Sequence, residues 1–128
     1  KYKVMHQGNT VAIIAAGDFY AKGENVAKAL RVDGIDATLI NPRYLSGIDE
    51  PLLYSLKANH QLVATIEDGS LDGGFGERIA RYYGPSTMRT ICFGVKKQLY
   101  DRYDVKELLI ENHLTDEQIV ADIKEHII

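Results

Sequence analysis

The chain has one cysteine, no cluster of basic residues and no long apolar run, and each absence closes off a class of function. Cys92 lies inside Ile91-Cys92-Phe93. One thiol cannot staple a domain, so nothing calls for an oxidising compartment. Cys92 reads as a small buried hydrophobe, since a nucleophile would need a histidine beside it and an electropositive pocket. No stretch approaches the roughly 20 apolar residues that span a bilayer, and residues 1–7 carry no signal-peptide core. Basic residues number 15 and acidic residues 18, a formal net charge of −3. Nucleic-acid binding needs a clustered positive field, and the nearest basic run, Lys96-Lys97, reads as a solvated loop. The expectation is a cytoplasmic protein with no nucleic-acid and no membrane partner.

What is present is ordinary for a globular chain. Hydrophobic residues make up 45% and charged residues 26% of 128 positions. That length suits one domain with its own core, so residues 1–128 are expected to form a single domain. The start at Lys1 rather than Met leads us to expect a fragment of a longer protein, a processed product or a trimmed chain.

Strand and helix signals alternate. Tyr2 and Val4 alternate with polar neighbours, as in a short edge strand. Val11 to Ala16 is apolar throughout, as a strand covered on both faces should be. The short Gln7-Gly8-Asn9 turn predicts that these two strands pair antiparallel. Asp18 is placed to cap a helix carrying Phe19, Val26, Ala27 and Leu30, weakened at Gly23 and stopped at Gly34. Asp36 to Asn41 reads as a second core strand, ended by Pro42. Asp49 and Pro51 open a helix with Leu52, Leu53 and Leu56 on one side. Gln61 to Ile66 is a third core strand, Glu77 to Tyr83 a helix and Met88 to Phe93 a fourth core strand. Residues 94–103 read as a long surface loop. Asp104 can cap Val105 to Glu111, and Thr115-Asp116-Glu117-Gln118 is a capping box before Ile119, Val120, Ile123 and Ile127. This alternation predicts an α/β fold in three layers, with a mostly parallel five-stranded sheet and one antiparallel edge strand.

The most informative motif is Asp68-Gly69-Ser70-Leu71-Asp72-Gly73-Gly74-Phe75-Gly76. It follows a strand and opens a helix, where ligands of open α/β sheets bind. Its spacing matches neither G-x-G-x-x-G, since Ile79 stands where the last glycine belongs, nor a P-loop. Asp68 and Asp72 would repel phosphate. The glycines are therefore expected chiefly to let the turn pass close to a neighbouring backbone. Glu67-Asp68 lies at a strand end, where acids often work, but reads first as a cap or turn. His6, His60, His113 and His126 form no close ligand pair. Tyr82-Tyr83 and Tyr100 to Tyr103 suit a protein interface.

Taken together, Asn41-Pro42-Arg43-Tyr44 with Asp49, then Thr65 to Gly76, resemble the C-terminal domain of the transketolase-like thiamine diphosphate enzymes. The branch they most resemble is the 1-deoxy-D-xylulose-5-phosphate synthases. The closing Leu114-Thr115-Asp116-Glu117-Gln118-Ile119-Val120 is similar to the last helix of that branch, while Phe93 to Tyr103 departs from its usual pattern. Gly17-Asp18-Phe19 starts like the Gly-Asp-Gly metal motif of these enzymes, but Phe19 breaks it and Asn41 comes too soon. The resemblance implies that thiamine diphosphate and Mg²⁺ are held elsewhere, with no cofactor, metal or catalytic residue here. It implies as partners the pyrimidine- and diphosphate-binding domains of the same enzyme, in a homodimer. It marks Arg43, Tyr44, Glu67, Asp68, Gly73, Gly74 and Gly76 as interdomain or loop positions. Three functions stay open: assembly domain of a synthase, the same domain of a transketolase or 2-oxo acid dehydrogenase β subunit, or a stand-alone anion-binding regulatory module.

Overall fold

The computed structural model describes residues 1–43, 47–71, 74–95 and 105–127. The elements in order are β1 (Lys3–His6), β2 (Thr10–Ala15), a 3-10 turn (Gly17–Phe19), α1 (Tyr20–Val32), β3 (Thr38–Asn41) and α2 (Glu50–Leu56). Then come β4 (His60–Ser70), α3 (Phe75–Tyr83), β5 (Arg89–Val95), α4 (Val105–Glu111) and α5 (Asp116–His126).

The strands form one sheet in the order β1-β3-β2-β4-β5. Only β1 runs antiparallel, as expected, but its partner is β3 and not β2. The reason is that β2 has no free edge. It pairs parallel with β3 on one side and β4 on the other. The turn after β1 instead crosses the start of β3. The Gly8 N–H donates to Thr38 Oγ1 at 2.9 Å and the Asn9 N–H to the Asp36 carbonyl at 2.8 Å. A Cβ on Gly8 would stand 1.9 Å from the Asp36 carbonyl oxygen, so only glycine lets the chain cross so closely.

Two cores lie on opposite faces of the sheet. Alternate β2 residues serve each, as the period of a strand dictates. Val11, Ile13 and Ala15 meet Val26, Ala27 and Leu30 of α1 together with Leu114, Ile119 and Ile123. Ala12, Ile14 and Ala16 meet Leu53 and Leu56 of α2 and Phe75, Ile79 and Tyr83 of α3. The layers are therefore helix, sheet, helix, as the alternation predicted.

The starts of α2 and α5 follow local chemistry. Asp49 caps α2 through Leu52 N–H, and Thr115 and Gln118 form the capping box of α5. Asp18 caps nothing. It sits within the 3-10 turn, and α1 begins at Tyr20 with no side-chain cap. Gly23 is buried because a Cβ there would come within 2.4 Å of the Ala15 Cβ; it lets α1 close on β2. β4 runs on to Ser70, beyond the expected Ile66, because Ser70 pairs with Val95 and Leu71 N–H reaches the Val95 carbonyl. Because the chain leaves β2 toward β3 on one side and returns to β4 on the other, the carboxyl ends of β2 and β4 flank a topological switch point.

Candidate functional site

The switch point is built from the ends of two adjacent strands. The Ala16 N–H donates to the Ile66 carbonyl at 2.9 Å, so the β2 and β4 ends are bonded together up to the point where their loops diverge. Past β2, Gly17 takes φ +63, a conformation that favours glycine. The exposed Asp68 carboxylate lies against it, 3.3 Å from where a Gly17 Cβ would be. Asp18 is exposed on the 3-10 turn that packs on β4. The mouth of the switch point is thus acidic.

Glu67 turns the other way and is 3% exposed. Its Oε1 accepts the Phe75 N–H at 3.2 Å and its Oε2 accepts the Gly76 N–H at 2.8 Å. These are the first amides of α3, whose N-cap, Gly74, has no side chain to offer. Burial pushes the Glu67 carboxyl above its ordinary range; the two amides and the Arg78 charge oppose that rise, and Asp68 adds to it. Around the same point stand Thr65 Oγ1 and Cys92 Sγ, which a Cβ on Gly76 would meet at 2.4 and 3.1 Å. Thr65 is fully buried, and its hydroxyl approaches the Cys92 sulfur without closing a well-formed hydrogen bond. Cys92 is half-buried rather than fully enclosed. Burial pushes its thiol up, and the Glu67 and Glu77 charges add to this against the Thr65 hydroxyl. A thiol so placed is protonated and a poor nucleophile.

The expected site residues divide accordingly. Glu67, Gly74 and Gly76 come together at the start of α3. Asp68 lies at the same strand end but faces Gly17. Arg43 is exposed past the end of β3, at φ +68, with its N–H donating to Asn41 Oδ1 at 2.9 Å. Tyr44 and Gly73 lie outside the described residues, as do Asp72, Asp104, Lys96-Lys97 and Tyr100 to Tyr103. Sequence reasoning did not pick out Gly94 or Arg78, because each reaches Glu67 only through the packing of β5 and α3 on β4. Thr65 shares the strand with Glu67, but its place beside Gly76 and Cys92 depends on the same packing.

The histidines serve different ends. His6 pairs with Asp36 at 2.7 Å and His113 with Asp122 at 3.0 Å, both at the surface. His126 Nδ1 lies 2.7 Å from the Asp122 carbonyl. His60 is buried, with Nε2 2.7 Å from Thr38 Oγ1 and Nδ1 3.0 Å from the Leu56 carbonyl. It also borders a cavity of about 320 Å³ with Lys57, Met88 and Arg89. That cavity sits at the amino ends of β4 and β5, opposite the end where such sheets bind ligands.

These residues do not fit thiamine diphosphate or its metal. Among the described residues, no three His, Cys, Asp or Glu side chains gather where they could hold a metal ion. The amides of α3 that could take a diphosphate already hold Glu67, and Asp68 adds like charge nearby. Among the described residues, no helix is long and apolar enough to cross a membrane.

The family model for "Transketolase, C-terminal domain" matches residues 1–119. The 1-deoxy-D-xylulose-5-phosphate synthase of Alkaliphilus oremlandii (strain OhILAs) is 34% identical over 122 residues, 93% of this chain and 19% of that protein. The synthase of Azoarcus sp. (strain BH72) is 30% identical over 126 residues, 97% of this chain and 20% of that one. The chain thus spans about a fifth of the length of these curated relatives. A solved split-gene transketolase, described as an inactive β4 tetramer, superposes with a TM-score of 0.84 at 28% identity, over 98% of this chain and 40% of its own. A 2-oxoglutarate:ferredoxin oxidoreductase from Magnetococcus marinus shares the fold alone, with a TM-score of 0.63 at 17% identity. With the fold and a family match along nearly the whole length, this chain belongs to the transketolase C-terminal domain family.

Proposed function

We propose that the chain is the C-terminal structural and assembly domain of a 1-deoxy-D-xylulose-5-phosphate synthase. The observation that carries this reading is the match to synthases along 93% of the chain while it makes up only 19% of their length. The remaining length of such a protein is where pyrimidine- and diphosphate-binding domains would lie, and with them the cofactor. The whole enzyme would join pyruvate to glyceraldehyde 3-phosphate, releasing CO₂ and forming deoxyxylulose 5-phosphate. Thiamine diphosphate with Mg²⁺ would supply the carbanion chemistry. This domain would pack on the other two and help build a homodimer in the cytoplasm. Arg43, Tyr44, Glu67, Asp68, Gly73, Gly74 and Gly76 are the positions we assign to interdomain or loop roles.

Product analysis of the full-length protein tests the reading. Deoxyxylulose 5-phosphate from pyruvate and glyceraldehyde 3-phosphate is the expected outcome. Ketol transfer between sugar phosphates would instead favour a transketolase, a reading that the TM-score of 0.84 to the split-gene transketolase keeps in play. The 128-residue chain alone, given pyruvate, thiamine diphosphate and Mg²⁺, should release no CO₂; release would overturn the assignment. A stand-alone anion-binding module is disfavoured because Glu67 occupies the amides such a ligand would need.

A further inference from the structure

The first amides of a helix have no partner within it, and the helix dipole favours negative charge there. At α3 two of these amides point at the Glu67 carboxylate, at 3.2 and 2.8 Å. Two glycines on different elements make room for it. A Cβ on Gly76 would lie 3.0 Å from Glu67 Oε2, and one on Gly94 would lie 3.2 Å from Glu67 Cγ and 2.9 Å from Leu71 Cδ2. Thr65, wholly buried, holds a hydroxyl without a well-formed hydrogen bond at the same spot. The Arg78 guanidinium, one turn along α3, adds positive charge. Two N–H donors, an available hydroxyl, a cation and walls free of Cβ atoms are the parts of a carboxylate or phosphate site. Here the chain brings its own anion from β4.

We propose that the start of α3, with Thr65 and Gly94 beside it, is an anion seat filled by Glu67, which latches the sheet to the helix and closes the seat to free carboxylates and phosphates. The turn is also tied at its near end, where Leu71 N–H reaches the Val95 carbonyl and Gly74 N–H the Leu71 carbonyl. The carboxylate therefore holds the start of α3 to the end of β4.

Glu67→Ala empties the seat. Its Tm should fall by roughly 5–10 °C, the effect of losing two charge-assisted hydrogen bonds in a domain of this size. Formate or acetate, compared with chloride at equal ionic strength, should then raise that Tm saturably. The unchanged chain and Glu67→Gln, whose side chains still fill the space, should show no such rise. A folded Glu67→Ala with the parental Tm, or one indifferent to formate, would overturn the proposal. Should Glu67→Ala not fold, NMR of the unchanged chain decides. The Phe75 and Gly76 amide protons should move together with the Glu67 carboxyl carbon as pH is lowered, and stay still when inorganic phosphate is added at constant pH. Amides that follow phosphate instead would mean the seat is open.

Discussion

His60 stands at the first position of β4, buried, with both ring nitrogens engaged. The Leu56 carbonyl can only accept, so Nδ1 carries the proton and Nε2 accepts from the Thr38 hydroxyl. That hydroxyl in turn accepts from Gly8 N–H at 2.9 Å. One neutral imidazole thereby joins the end of α2, the start of β3 and the crossing turn. Burial lowers its pKa, and the Leu56 carbonyl only partly opposes this. A lowered histidine pKa means that the unfolded chain binds protons first as pH falls. The stability that depends on neutral His60 is therefore whole above about pH 6.5, its unfolded value, and drains away below it down to the folded pKa. Glu67, whose pKa is raised, acts with the opposite sign, gaining stability as pH falls through its folded value. Comparison with His60→Gln isolates the histidine. Urea unfolding between pH 7.5 and 5 should show a shallower acid loss for the variant; parallel curves would sink the account.

At the scale of elements, caps do more than start helices. The Asp49 carboxylate accepts Leu52 N–H through Oδ1 at 3.3 Å and Tyr2 N–H through Oδ2 at 3.0 Å. It thus caps α2 and ties down the residue before β1. Thr115 and Gln118 cap α5 reciprocally, and Gln118 Nε2 also donates to the Ile110 carbonyl at 3.1 Å, holding α4 to α5. Asp49→Ala should cost about 1–2 kcal/mol and Thr115→Ala about 1 kcal/mol of unfolding free energy. Asp49→Ala should cost more because it also frees the Tyr2 amide. Equilibrium unfolding of both variants checks the order; a reversed order would mean the tether to Tyr2 is worth nothing. Both caps were legible beforehand, because each is a short-range pattern of a polar residue two or three places before amides it satisfies. Asp18 shows the limit of that logic. It has the right residue type in the right place, yet Gly17 at φ +63 turns the chain into a 3-10 step, and α1 starts without it.

For the whole molecule, the central fact is that one strand serves two cores. Leu30 packs on one face of β2 and Leu53 on the other side of the sheet, both fully buried. Leu30→Ala and Leu53→Ala should each cost about 2–5 kcal/mol through lost burial and the cavity left behind. Since the two cores share β2, each variant should still unfold in one transition, with far-UV circular dichroism and tyrosine fluorescence giving the same midpoint. Two separated transitions would show that the cores melt independently.

The apolar run at Val11–Ala16, the alternation of strand with helix and the two cap motifs were enough to determine a three-layer α/β chain. Those signals lie within a few residues of one another, where periodicity and capping operate. The resemblance at Asn41 to Tyr44 and Thr65 to Gly76 likewise pointed to the family to which the chain belongs. Tertiary structure alone decided the rest. β1 went to β3 because β2 was already paired on both edges. Gly76, which closes the glycine-rich stretch read as a backbone approach or a ligand loop, meets Glu67 because β5 and α3 bring Gly94, Arg78 and Gly76 around one carboxylate of β4. His60, which the sequence singled out only as one of four histidines without a close ligand pair, is buried with Thr38 of β3 beside it, 22 residues away in the chain. Which strand edges remain free, and which polar groups meet inside, depend on how every other element packs, and no local stretch of sequence carries that.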